Sequence, residues 1–524
     1  MKKAILVILF CCPILLFSKR EFSAQQYWKL NNAVNSILSF YVDSISDSIL
    51  VENAIRGILE QLDPHSTYIP ASEIEKANES INGNFEGIGI SFQMIDDTLQ
   101  VLQIISGCPA QKVGVLLGDQ LIRVDGVPIS GVKMTTSEIT KKIRGPKGSE
   151  VIVDIKRKGE KELIPFHIIR DKIPIHTLDA AYKIDKQTAY VKLNSFGLQT
   201  MAEFHSAMNK LGPFSNIILD LRGNSGGLLR TALELTDEFL SGEKTIVFTQ
   251  GSDSLLEEEL TRRKGKYEKC NLVVLVDEYS ASASEIVAGA LQDWDRALIV
   301  GRRTFAKGLV QRPLALNDGS VIRLTVARYL TPTKRWIQRP YGEGTEKYYQ
   351  DLTDRLVKGE LQSEDSIVFP DSLKYETLIK KRTVYGGGGI MPDVFVPLDT
   401  SFFSDYYQNI ITKGVLNKTV SKYVLEQEKL LRNKYKIANN FVQNYKVEST
   451  LLEQLVENAE KSGMAFDQVQ YERSKTYIET LIKAIIARDL WNSSAYFQII
   501  NEQDLVLQRA IEILQNNEAE KFLK

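Results

Sequence analysis

Three segments, NIILDLRG (216–223), NLVVLVDEY (271–279) and RALIVGRRT (296–304), each carry a short, nearly continuous apolar run. A strand wetted on one face alternates apolar and polar residues. A strand apolar throughout must be covered on both faces. Segments of helical period separate these runs: TMAEFHSAMNKL (200–211), LLRTALELTDEFL (228–240) and ASEIVAGALQDW (283–294). QTAYVKLNSF (187–196) reads as a further strand, and YGGGGIMPDVFVP (385–397) as a Gly-rich loop entering a Pro-bounded one. Doubly covered strands alternating with helices predict an α/β sheet with packed helices across residues 185–398.

The flanks differ. The chain has 524 residues, which argues for two to four domains. Lys2 and Lys3 precede an apolar run from Ala4 to Phe17, the form of a secretory signal. That run is short for a membrane span of ~20 residues. Residues 1–24 are read as a signal peptide or N-terminal anchor, and 25–84 as an N-terminal helical segment. Residues 85–170 turn to short strands, among them FEGIGISFQM and EVIVDIKRKG, with one helix in TTSEITKKIRG. Asp125-Gly126 marks a hairpin turn there. The α/β core takes 171–398. Residues 399–524 are charged and helical, with amphipathic faces suited to packing or self-association and no group tied to chemistry.

The totals exclude several classes. A formal net charge of −1 supplies no global field for nucleic acid or an anionic membrane. Cys11 and Cys12 lie in the N-terminal run, and Cys108 and Cys270 fall in different domains. With scattered histidines, this leaves neither a disulfide framework nor a zinc signature. No metal and no cofactor is expected.

The stretch DEYSASASEIVAGALQD (277–293) holds Ser282 and Glu285 in capping-box spacing before an apolar helix. A serine there is an ordinary helix cap. It also stands among free N–H groups at the positive helix end, where an alkoxide or an oxyanion is stabilised. A nucleophilic serine needs a base. TFAKGLVQ (304–311) sets Lys307 in an apolar, Gly-flanked stretch. Desolvation there favours the neutral amine, the form that accepts a proton. Gln311 shares a face with Lys307 in a strand or a helix and is placed to orient the amine.

LDLRGNSGG (219–227) is a strand, a Gly-rich turn and a helix start. Gly226 and Gly227 let backbone N–H groups approach a reacting carbonyl. The phosphate-loop pattern is absent. GNSGG also matches the nucleophile loop of trypsin-like proteases, but its place between a parallel-type strand and a helix excludes Ser225 as nucleophile. LDPHSTYIP reads as a Pro turn, and His65 receives no catalytic role.

Taken in order, LDPHSTYI, GIGI, LDLRGNSGG, SASASEIVAGALQD, TFAKGLVQ and GGGGIMPD resemble the C-terminal processing, or tail-specific, proteases. These are Ser-Lys peptidases with an embedded PDZ domain. The resemblance runs over about residues 30–398. It implies a multidomain α/β fold: a ClpP/crotonase-like core, an inserted β-rich PDZ domain, N-terminal helices and a helical C-terminal extension. It implies Ser282 as nucleophile, Lys307 as base and Gln311 as the lysine-orienting residue, with Asp293 supporting. The oxyanion hole falls on Ala283 and the Gly226-Gly227 turn, with the donor between the two glycines left open. Gly87, Ile88, Gly89 and Ile90 would hold a peptide carboxylate by strand addition. Arg144 would contact the protease body and gate it.

One position departs. Ala306 stands where the family has glycine, and is strained if φ is positive. The function implied is an exported serine endopeptidase, periplasmic or in the cell envelope, acting on C-terminal tails. The alternative is a non-catalytic PDZ scaffold on a degenerate protease fold, for which Ala306 is the sequence hint. Partners are protein or peptide substrates with free C-termini, and nucleic acid is not among them. A membrane anchor at the N-terminus, a homo-oligomer and an activating adaptor stay open.

Overall fold

Alternate residues of the strand Asn216–Asp220 enter two different cores. Ile217 and Leu219 pack with Phe204, Leu235, Ile286 and Val287 of three helices. Ile218 packs instead with Val506, Leu507, Ile513 and Leu514, near the end of the chain. This is the double burial that a continuous apolar strand requires. The computed structural model describes residues 22–516 and Glu518. The apolar N-terminal run, with Cys11 and Cys12, lies outside them. No helix among the described residues is long and apolar enough to cross a membrane.

The sheet has six strands, ordered Leu178–Lys183, Thr188–Leu193, Asn216–Asp220, Asn271–Val276, Leu298–Gly301 and Val394–Phe395. The first pair is antiparallel and the others are parallel. The helices Thr200–Leu211, Leu229–Asp237 and Ala283–Asp293 cover one face, and Leu505–Gln515 covers the other. The tail after residue 399 thus supplies a layer of the core. Its remaining helices build a separate core around Leu416, Phe441, Ile478 and Ile482.

A second, antiparallel sheet joins Thr67–Ile69, Val321–Leu330, Thr245–Gln250 and Leu256–Leu260, with Leu309–Ala315 also paired to Val321–Leu330. The chain divides into two units between Leu62 and Asp63. The first contains the helices Ala24–Phe40 and Asp47–Glu60. LDPHSTYI therefore belongs to the second unit from Asp63 onward, and the division falls before residue 84.

The β-rich insertion is a sheet in the order Ile90–Ile95, Thr98–Ile104, Gln120–Val124, Glu150–Lys156, Ile164–Ile169, with the helix Thr136–Ile143. Its two ends are tied by pairing of Asn84–Gly87 with Asp171–Pro174. Asp125 and Gly126 have φ of 49° and 76°, the left-handed pair that a type I′ hairpin needs.

Candidate functional site

Ser282 opens the helix Ala283–Asp293 with φ 55° and ψ −113°. A non-glycine residue rarely holds such backbone angles, and strain of this kind clusters at functional sites. The capping box forms, with Glu285 Oε2 accepting the Ser282 N–H at 2.8 Å. Glu285 does more than cap. The same oxygen accepts the Lys307 N–H at 2.9 Å, and Oε1 accepts from Ala306 N–H at 2.8 Å and Thr304 Oγ1 at 2.6 Å. Its carboxylate is wholly buried, and burial raises its pKa to about 6. Tyr329 closes the frame from the other side: its hydroxyl lies 3.1 Å from the Ser282 carbonyl and 2.5 Å from that of Lys307.

Lys307 lies just before the strand Leu309–Ala315. Burial lowers its pKa, and the neighbouring Arg323 charge lowers it further. Its Nζ meets Gln311 Oε1 at 3.2 Å. Gln311 sits beside a bulge in that strand, opposite Thr325. Its Nε2 donates to the His65 carbonyl, which fixes the carbonyl end of the amide toward Lys307. No hydrogen bond among the described residues joins Ser282 Oγ to Lys307 Nζ.

The turn carrying His65 was not legible as part of a site. Asp63 Oδ1 accepts the N–H groups of His65 and Ser66 at 2.8 and 2.9 Å and the Thr325 hydroxyl at 3.0 Å. His65 Nε2 lies 2.9 Å from the Tyr348 hydroxyl. Burial, and then the Lys307 charge, lowers the imidazole to about 4, so it is neutral at pH 7. Gln311 meets the His65 backbone carbonyl rather than its ring; in sequence the segment reads as a Pro turn and as one of the motifs shared with the tail-specific proteases.

Gly226 and Gly227 have φ of 103° and 147°. A Cβ on Gly226 would lie 2.8 Å from Ser282 Cβ, and one on Gly227 would lie 2.2 Å from the Phe196 carbonyl oxygen. Only glycine lets this turn lie against Ser282. The Gly226 N–H donates to Asn224 Oδ1 at 2.9 Å. Among the described residues the N–H groups of Gly227 and Ala283 have no acceptor.

Ala306 has φ of 74° and is buried, so the departure at this position falls in the left-handed region. Asp293 ends the same helix as Ser282 and is wholly buried. It accepts from Thr333 N–H at 2.9 Å and pairs with Arg335. It supports the neighbouring loop and is remote from the serine end.

In the inserted domain, Ile90–Ile95 is an edge strand. The Ile88 and Gly89 carbonyls accept from Ala110 and Ile105, while the N–H groups of Ile88 and Gly89 have no acceptor among the described residues. Arg144 pairs with Glu79 at 2.7 Å and lies over the Phe85 ring. It reaches the helix Ile74–Asn82 rather than the Ser282–Lys307 frame. No group of three or more His, Cys, Asp or Glu among the described residues is arranged to hold a metal.

Residues 187–346 match Peptidase family S41, residues 87–166 the PDZ domain, and residues 406–492 a family of unknown function, DUF8443. The carboxy-terminal processing protease CtpA of Bacillus subtilis (strain 168) is 36% identical over 317 residues, which are 59% of this chain and 66% of that protein. The chain thus spans just under two thirds of that relative. The carboxy-terminal-processing protease of Bartonella bacilliformis is 36% identical over 325 residues, 60% of this chain and 73% of that protein. The solved photosystem II D1 C-terminal processing protease is 25% identical, with a TM-score of 0.35, covering 72% of this chain and 94% of that one.

Proposed function

The chain belongs to the carboxy-terminal processing proteases of peptidase family S41, and on that premise we propose that it is an exported serine endopeptidase cutting near C-terminal tails that its PDZ domain captures. The observation that carries this reading is the single buried frame around Glu285 and Tyr329. It ties the backbone of a strained serine to that of a desolvated lysine.

In this reading neutral Lys307 takes the Ser282 proton as Oγ attacks the peptide carbonyl. The oxyanion is met by the Ala283 and Gly227 N–H groups, which have no other acceptor among the described residues. Gly226 shapes the turn, its own N–H being held by Asn224. Protonated Lys307 gives its proton to the leaving amine. It then accepts one from the water that opens the acyl-enzyme. Gln311, anchored by His65, presents Oε1 to the amine throughout.

The PDZ edge strand and the N–H groups of Ile88 and Gly89, without an acceptor among the described residues, supply a carboxylate nest for the tail. Export is read from the basic start and the apolar run Ala4 to Phe17.

The test is cleavage of an unstructured protein and of a tail peptide by the full chain and by Ser282→Ala. The wild type cuts both, and the variant folds, binds the tail and cuts neither. A wild type that binds the tail and leaves it whole would establish the scaffold reading instead.

A further inference from the structure

The sequence assigns no chemical role to residues after 399, yet one carboxylate from that region reaches the Gly-rich turn. Asp504 Oδ2 accepts from Arg222 Nη1 at 2.6 Å. The rest of the Arg222 fork is held by Asp220, Nε on Oδ1 at 3.0 Å and Nη2 on Oδ2 at 2.7 Å. We propose that Asp504 is a positioning residue that locks Arg222, and through it the oxyanion turn, in place. This rests on the protease reading above and gives a task to the end of the helical extension.

Arg222 is where the strand ends and the turn begins. Its carbonyl accepts from Lys192 Nζ at 2.8 Å, and the next N–H, that of Gly223, donates to Asp277 Oδ1 at 2.9 Å. Asn224 then holds Gly226, while the Asn224 carbonyl accepts from Ala281 N–H and Ser284 Oγ beside the nucleophile. A shift at Arg222 is therefore passed to the backbone that faces Ser282.

Two carboxylates grip the guanidinium from opposite ends, which fixes its plane. With Asp220 alone, the bidentate pair on Nε and Nη2 would remain, but Nη1 would lose its partner and Arg222 its tie to the helix Leu505–Gln515. Asp504 is itself stiff. Its Oδ1 caps the helix Leu505–Gln515 by accepting the Leu507 N–H at 2.8 Å, and that helix is buried against the sheet through Val506, Leu507, Ile513 and Leu514.

Charge agrees with geometry. Asp220 is wholly buried. Burial opposes its ionisation, but Arg222 and Lys192 more than offset this and hold its carboxyl well below the usual range. Asp220 and Asp504 face Arg222 and Lys192, with Asp179 also beside the Lys192 charge and the Tyr190 hydroxyl donating to Asp220 at 2.6 Å. Removing the Asp504 charge leaves Arg222 with Asp220 as its remaining ion-pair partner among the described residues.

The experiment uses the full chain with Asp504→Asn, Asp504→Glu and, as a control on the same segment, Glu502→Gln. Three readouts are needed: kcat and KM on a tail peptide, affinity for a peptide boronic acid that mimics the tetrahedral intermediate, and hydrogen exchange across residues 221–228. For Asp504→Asn, kcat falls about tenfold and boronate affinity falls with it, as expected for a displaced oxyanion donor. KM stays within about twofold, and exchange in 222–228 quickens. Asp504→Glu recovers most of the rate, and Glu502→Gln matches the wild type.

Wild-type kcat and boronate affinity in Asp504→Asn would overturn the inference, as would unchanged exchange in 222–228. Equal losses in the Asn and Glu variants that track thermal stability would do the same. A wild type that cleaves nothing while Asp504→Asn still loosens 222–228 would defeat the protease reading and leave the positioning role standing.

Discussion

A carboxylate oxygen of Glu285 accepts the backbone N–H of Lys307 across 22 residues of sequence. That bond, with its companions from Ser282, Thr304 and Ala306, sets the loop carrying Lys307 against Ser282. Glu285→Gln should therefore be far more damaging than an isosteric change suggests. The amide nitrogen would face N–H donors and leave two of them buried without an acceptor, at about 1–3 kcal/mol each. Part of this is offset, because ionised Glu285 is disfavoured by burial. A shift from 4.5 to about 6 corresponds to about 2 kcal/mol. The expected net loss is about 2 kcal/mol of stability, with kcat lower by about a hundredfold or more, ~2.7 kcal/mol.

The pH dependence has a definite sign. The Glu285 carboxyl is raised by burial, so its contribution to stability is fully present below its ordinary range near 4.5 and is lost as pH rises through about 6. The wild-type advantage over Glu285→Gln should therefore shrink between pH 4.5 and 7 in thermal melts.

In the proposed mechanism Lys307 governs the rate profile. Burial, and then Arg323, lowers its pKa, so kcat should rise with pH and level off below the range of an ordinary lysine. Arg323→Gln should move that rising limb to higher pH. Lys307→Arg should be inactive, since a guanidinium stays protonated. Turnover by the arginine variant, or a limb unmoved by Arg323→Gln, would remove Lys307 from the role of base.

Ala306 offers the opposite kind of variant. At φ 74° an alanine carries a penalty of roughly 1–2 kcal/mol. Glycine removes it but adds about 0.5–1 kcal/mol of unfolded-chain entropy. Ala306→Gly should stabilise the protein by about 0.5–1 kcal/mol and keep or raise kcat, while Ala306→Val should lose both. Denaturant midpoints at constant m-value measure this.

Truncation tests the layer built by the tail. A chain ending near residue 400 uncovers Tyr190, Ile218, Val273, Leu275 and Val300, which now pack on Val506, Leu507, Ile513 and Leu514. Those four side chains alone carry on the order of 8 kcal/mol of burial, comparable with a domain's whole stability. The truncated chain should be insoluble or fail to melt cooperatively. A soluble, cooperative product would show that the sheet tolerates an open face.

Much of this architecture was legible because its causes are local. Continuous apolar runs gave the parallel strands, and the helix at 200–211 and the turn at Asp125-Gly126 appear where the pattern put them. What was not legible depends on distant partners. Glu285 shows in sequence as a capping residue, and nothing local reveals that its carboxylate also binds Thr304, Ala306 and Lys307. Tyr329 and the Asp63 turn come from an antiparallel sheet whose strands are far apart in the chain. The amphipathic face of residues 505–515 was visible, but its partner, the second face of the sheet, was not.

The PDZ loop gives the last prediction. Gly89 has φ of 81°, and a Cβ there would fall 2.3 Å from Cys108 Cβ. Gly89→Ala must therefore displace the loop or the Cys108 segment, and with it the Ile88 and Gly89 N–H groups, which face no acceptor among the described residues. If those groups hold a terminal carboxylate, the wild type should cleave a free-acid tail faster than its amidated twin, and Gly89→Ala should erase the difference. The loss should appear chiefly in KM, because the Ser282–Lys307 frame is untouched. Cleavage of a short peptide at saturation should stay near the wild-type rate. A Gly89→Ala enzyme that still prefers the acid by the wild-type ratio would place tail recognition elsewhere on the molecule.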